Sequence, residues 1–194
     1  MKNIVLRSTV VLAMSAIMIS CGKDAKKETT EENTEVVNET PADVVIDPKV
    51  DLNVTDSSSK VVFAEASLNE VYTNYLRVKS ALVNSDNTLV MKTATQMNNA
   101  IEDAEATKQL KATAELISVT KDINKQRDFF VTLTAEVEKM IKGAEITSGE
   151  VYKQYCPMAF EGKGGYWLSN SKEVRNPYYG DKMLKCGSVQ ETIN

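Results

Sequence analysis

The chain has 194 residues, carries 23 Lys and Arg against 27 Asp and Glu, and has a formal net charge of -4. That length suits one domain with appendages, and the acidic balance argues against a nucleic-acid partner, which would call for a basic patch. There is no histidine, which excludes imidazole acid–base catalysis, Ser-His and Cys-His nucleophile pairs and imidazole metal sites. No phosphate-binding Gly loop or paired-carboxylate constellation stands out, so the chain reads as non-enzymatic.

Residues 1–20 read as a signal peptide. Lys2 and Arg7 form a basic start, residues 8–20 carry no charge, and Cys21 follows. Thirteen uncharged residues are too few to span a bilayer, which takes about 20, but suit a secretory apolar region. Met18-Ile19-Ser20-Cys21 resembles a bacterial lipobox. That likeness implies that Cys21 becomes the lipidated first residue, anchoring the chain to a membrane of the cell envelope and facing it toward the periplasm. Residues 21–62 read as a disordered acidic tether. Between 22 and 60 there are ten acids, five lysines and no aromatic residue, too little apolar surface to offset ordering entropy. A coil of that length spans roughly 30–40 Å.

Residues 63–146 read as a helical bundle. Leu68, Val71, Tyr72, Tyr75, Leu76 and Leu82 recur at helical spacing, and Ser67 with Glu70 has the pattern of a capping box. Asn84-Ser85-Asp86-Asn87 breaks that helix. Val90, Ala94, Met97, Ile101 and Ala104 mark a second, and Leu110, Ala114 and Ile117 a third run. Ile123, Phe130, Leu133, Val137, Met140 and Ala144 mark a fourth, with the join near Thr120 left open. Met97 and Met140 read as core. The expected fold is mainly α: an antiparallel up-down bundle of three to four helices, with a small C-terminal module packed on it as one folded unit, 63–194.

Residues 147–194 form that Gly- and aromatic-rich module. Six of the eight glycines and seven of the twelve aromatic residues fall after 148, with both remaining cysteines. Glu150–Tyr155 and Tyr166–Ser169 suit short strands, and Gly162–Gly165 and Asn176-Pro177 are turn signals. Cys156-Pro157-Met158 and Met183-Leu184-Lys185-Cys186 each place a Met near a Cys. Three readings stay open, one of them a redox-active dithiol pair. Two Cys in an exported domain commonly form a disulfide, here closing a loop worth roughly 3–4 kcal/mol. Alternatively, Cys156, Met158, Met183 and Cys186 form a soft-donor set suited to Cu(I) or Ag(I), with Tyr155, Trp167 and Tyr178 either shielding the site or simply packing. Zinc and iron–sulfur sites want more Cys or His than the chain has.

Several of these residues also resemble a known family. Cys156-Pro157-Met158-Ala159, Gly165 with Trp167-Leu168-Ser169, Asn176-Pro177-Tyr178-Tyr179-Gly180, Met183-Leu184 with Cys186-Gly187, and Gln126-Arg127 with Phe130 resemble domain-of-unknown-function family 3347, over about residues 66–194. Such domains occur as stand-alone exported proteins and lipoproteins of Gram-negative bacteria, and fused to the periplasmic adaptors of CusB-type copper and heavy-metal efflux pumps. The resemblance implies metal handling: sequestration, or hand-off to an efflux adaptor or metallochaperone. It is weakest beside the Gln-Arg motif, where members often carry a His and this chain has Lys125.

Overall fold

A computed structural model describes residues 50–194. The signal peptide, Cys21 and the tether up to residue 49 lie outside the described residues. In chain order the elements are β1 (Val62–Phe63), α1 (Ala66–Val83), α2 (Asn87–Ala100), α3 (Lys108–Val119), α4 (Ile123–Lys142), β2 (Ile146–Ser148), β3 (Val151–Cys156), β4 (Gly165–Ser169) and β5 (Ser188–Ile193). Short helical turns at Glu105–Thr107, Ala159–Gly162 and Gly180–Met183 fill the connections. The fold is about half helical, with small antiparallel sheets toward the C-terminus.

The apolar stripes become the core. Leu68, Tyr75, Val78 and Leu82 of α1, Val90, Ala94 and Met97 of α2, Leu110 and Ile117 of α3, and Phe130, Leu133, Val137 and Ile141 of α4 are all buried. Each helix packs on the next, and α4 also meets α1. The third and fourth runs are separate helices, divided at Thr120. Asp122 caps α4 by accepting from the amides of Asn124 and Lys125 at 2.8 and 3.3 Å. Asp86 caps α2 through the Leu89 amide at 2.9 Å. These side-chain acceptors satisfy amides that the helix itself leaves unpaired.

The capping box at Ser67 does not form. Helix α1 begins at Ala66, and Glu65 at its N-cap makes no side-chain cap. The short β1–β2 pairing feeds the chain straight into the helix, and Asn69 secures the corner instead. Its amide oxygen accepts from the Phe63 amide at 2.9 Å, and its amide nitrogen donates to the carbonyls of Phe63 and Glu65 at 2.7 and 2.8 Å.

Strands β4, β3 and β5 form an antiparallel sheet in that order, and β4 lies against α4. Strand β3 is shifted one residue from the expected Glu150–Tyr155, starting at Val151 and ending at Cys156, and β4 begins one residue before the expected start, at Gly165. The third, β5, is an addition to the sequence reading. A register shift opposite Lys153 and Gln154 removes the alternation that would have marked it. Two polar contacts stitch the sheet to the bundle. The Tyr75 hydroxyl accepts from the Leu168 amide at 2.9 Å and pairs with Thr134 at 3.0 Å. Glu138 takes Lys142 at 2.8 Å and Lys153 at 2.7 Å. Burial alone would raise the Glu138 pKa, but the hydrogen bonds from both lysines outweigh it and hold the carboxyl below the usual range.

The acidic segment meets the domain earlier than its composition suggests. Instead of continuing as a free spacer to residue 62, residues 51–59 lie as a strap across the end of α1 and the 170–175 loop. Asn84 accepts from the Leu52 amide at 2.9 Å and donates to Asp51 at 2.6 Å. Lys79 donates to Asn53 at 3.0 Å and Arg175 to the Val54 carbonyl at 2.9 Å. Glu173 accepts from the Asp56 amide at 2.8 Å, and the Ser59 hydroxyl from the Glu150 amide at 2.8 Å. Composition describes what a segment can bury by itself; this one borrows the polar partners of a surface already folded.

The strap encloses Lys79, whose residue is 4% exposed. Burial first, and the nearby Arg175 charge second, pull its pKa down to about 7 from 10.5, against an opposing pull from Asp51. Below pH 7 the ammonium is charged both folded and unfolded, so the net cost of holding it charged in this site, on the order of a few kcal/mol, opposes folding. As pH rises from about 7 toward 10.5 the folded state sheds this proton first, and stability increases. Urea titrations at pH 6 and pH 9 should show wild-type stability rising across that window, with most of the rise absent in Lys79→Met.

Deleting residues 50–60 removes the strap's hydrogen bonds, worth about 1 kcal/mol each where they are shielded, while returning Lys79 to water. The deletion should lower the melting temperature by several degrees at pH 9 and by less at pH 6. Equal melting temperatures with and without the strap at both pH values would show that these contacts contribute no stability.

Candidate functional site: the Cys156–Cys186 pair

Strand β3 delivers the first thiol. Its inward face carries Tyr152, Gln154 and Cys156 at period two, all buried. After Cys156 the chain turns through the exposed Pro157 and through Phe160 and Glu161, both with left-handed backbone at φ 52° and 59°. It returns as β4, with Gly165 opposite Cys156.

The second thiol arrives on the 170–187 loop, which is fixed to the bundle by the motif residues. Arg127 of α4 donates to the Pro177 carbonyl at 2.9 Å, to the Ser85 hydroxyl at 3.0 Å and to the Leu82 carbonyl at 3.3 Å. One guanidinium thus joins α4, the α1–α2 corner and the loop, as only a planar multi-donor fork can. Phe130 stacks on Tyr75 at 5.2 Å and meets the Tyr178 ring edge at 6.1 Å. Tyr178 also touches Phe160 at 5.0 Å and Trp167 at 5.9 Å, and its hydroxyl donates to the Tyr166 carbonyl. Gly180 has φ +60°, and a Cβ there would lie 2.5 Å from the Ser85 hydroxyl. Gln126 is buried and donates to the carbonyls of Thr120 and Asn87 at 2.6 and 3.1 Å.

Asn176 then positions Cys186. Its side chain accepts from the Tyr178 amide at 2.8 Å and donates to the Cys186 carbonyl at 2.9 Å. Gly187, at φ +139°, lets the chain pass where a Cβ would sit 2.8 Å from both the Trp167 ring and the Tyr155 carbonyl. The result is a contact between Cys156 Sγ and Cys186 Sγ at 2.8 Å. Cys156 is buried and Cys186 partly open. Hydrogen bonding with Cys156 is the first cause that pushes the Cys186 thiol up, burial adds to it, and a backbone hydrogen bond with Met158 works against both.

The structure therefore brings the two cysteines together and leaves the side chains of Met158 and Met183 at the surface, 55% and 36% exposed. Among the described residues no group of three or more His, Cys, Asp or Glu is placed to hold a metal ion. Trp167 and Tyr178 are core residues. The indole donates to the Gln154 side chain at 2.7 Å, and Gln154 in turn donates to the carbonyls of Ser171 and Lys172 at 2.9 and 3.2 Å. Gln154 and Asn69 were not singled out from sequence, and Ser85 only as part of a helix break. For Gln154 a signal exists: a polar residue on the inward face of an otherwise apolar strand must find buried partners.

Arg127→Ala should cost about 2–3 kcal/mol, since three acceptors lose a charged donor, and Arg127→Lys should recover less than half of that. Thermal melts of the three proteins test it. A change within about 0.5 kcal/mol for the Ala variant would show that the loop is held by other means.

Residues 71–149 match the model of a family described as "Protein of unknown function (DUF3347)". No curated protein and no solved structure matches the chain. The matched stretch takes in most of α1, all of α2, α3 and α4, and β2, with Gln126, Arg127 and Phe130 inside it and both cysteines beyond it. It supports the resemblance of this chain to that domain-of-unknown-function family.

Proposed function

We propose that this chain is a lipid-anchored protein of the bacterial cell envelope, facing the periplasm, whose C-terminal module is an interaction module stapled by a Cys156–Cys186 disulfide. The observation that carries the reading is the 2.8 Å contact between the two sulfurs. A disulfide at about 2.05 Å needs only a small approach. An ion about 2.3 Å from each sulfur would need them to separate before it could enter between them at an open angle. The exported setting comes from the lipobox-like Cys21 and supplies the oxidising conditions a disulfide requires. In the same reading the four helices alternate up and down, which short connections between consecutively packed helices favour, and the chain performs no catalysis.

A second reading keeps the pair reduced and gives it a soft ion, Cu(I) or Ag(I), with Met158 and Met183 completing the donor set. Cargo would then be sequestered or passed to an efflux adaptor or metallochaperone. The specific support is that Met158 and Met183 both touch Cys186 through their backbones, the carbonyl of the latter accepting from its amide at 3.0 Å.

Mass spectrometry of the chain extracted from membranes, with and without reductant, should show acylation at Cys21 and a mass two hydrogens below the dithiol form. On the reduced protein, Cu(I) competition against a chromophoric chelator should give equal affinities for wild type, Met158→Leu and Met183→Leu. A loss of tenfold or more in either variant would replace the staple with the soft-ion site.

A further inference from the structure

We propose that Cys186 is an exchangeable sulfur, and that the Cys156–Cys186 bond is opened and closed by a dithiol partner with the fold left intact. The inference rests on the disulfide reading above and adds its chemistry and its direction.

The two sulfurs are not equivalent. Cys156 is fully buried at the end of β3, whereas Cys186 lies on a loop and is partly open. Thiol–disulfide exchange needs an incoming thiolate to reach one sulfur in line with the bond that breaks. Only Cys186 presents such a face. Met158 and Met183, whose backbones both contact Cys186, carry exposed apolar side chains, and a partner can rest on them while its thiolate reaches the sulfur.

The step balances without any further reactant. A partner thiolate attacks Cys186 Sγ, a bond forms between those two sulfurs, and Cys156 leaves as a thiolate and takes up a proton. The partner's second thiolate then attacks its own first sulfur and releases Cys186, which is protonated in turn. The dithiol loses two electrons and two protons, and the cysteine pair gains them. The reverse sequence, with the oxidised partner, closes the staple.

The local structure tolerates this traffic because the sulfur bond is not what positions Cys186. Its carbonyl is held by Asn176 at 2.9 Å and its amide by the Met183 carbonyl at 3.0 Å. Gly187 is lodged against Trp167 and Tyr155, and β5 continues directly into its pairing with β3. Opening the bond leaves every one of these contacts in place.

The test uses the full chain with Cys21→Ser, oxidised, in native buffer. Dithiothreitol serves as the dithiol, and glutathione as a monothiol that marks the sulfur attacked. Peptide mapping should find glutathione on Cys186 at least about tenfold over Cys156, and dithiothreitol should reduce the pair while the far-ultraviolet circular dichroism stays unchanged. In single-thiol variants, Cys156→Ser should react with a disulfide reagent and Cys186→Ser should not until denaturant is added. Glutathione on Cys156, or a bond that yields only in denaturant, overturns the exchange proposal while leaving the staple. Failure to form any intramolecular bond under oxidant removes the staple itself, and this inference with it.

Discussion

The seating of the 176–180 loop on α4 is the contact on which the rest of the C-terminal module depends. Fewer than fifty residues with three short strands cannot close a core of their own. What they have is Tyr178, which lies between Phe130 of the bundle and Phe160 and Trp167 of the module. Each such ring pair adds roughly 0.5–1.5 kcal/mol beyond simple burial. Arg127 fixes the backbone one residue before that ring. Ring and guanidinium together determine where Asn176 stands, and Asn176 determines where Cys186 stands. The meeting of two sulfurs thirty positions apart is therefore a consequence of α4, whose Gln126, Arg127 and Phe130 share no contact with either thiol in this chain of support.

The same logic explains why polar side chains cluster at the seams. Tyr75, Gln154, Asn69 and Asn84 each satisfy backbone groups on a segment outside their own helix or strand. A buried polar group left unpaired costs more than a paired one contributes, so such side chains specify register as well as adding stability. Lys79 is the exception that carries a standing penalty, since its buried ammonium donates to the neutral Asn53 rather than to a carboxylate. The strap over it makes this end of the described domain sensitive to pH near neutrality.

How much of this could be read from sequence divides along physical lines. The helices were legible because amphipathic stripes are local: Leu68 through Leu82 and Phe130 through Val137 announce their buried faces by spacing alone. The turn at Asn84–Asn87 was legible for the same reason. The strand β5 was not, because its identity comes from pairing with β3 across a register shift. The strap was read as a free tether because its residues have little to bury, and its partners, Asn84, Lys79, Arg175 and Glu173, belong to other elements. At the candidate site, the association of Cys156 with Cys186 was anticipated. The exposure of the two thioether side chains was not, because it is set by the separate turns on which Met158 and Met183 lie rather than by sequence distance.

If the module is seated as described, bundle and module unfold together. The single tryptophan, Trp167, reports on the module, while far-ultraviolet circular dichroism reports chiefly on the four long helices. Equilibrium urea unfolding of the oxidised chain, followed by both signals on the same samples, tests this most directly. One cooperative unit predicts superimposable transitions with a common midpoint and slope. A tryptophan transition complete before the helices begin to melt would contradict it, and would make the module an independently folding appendage.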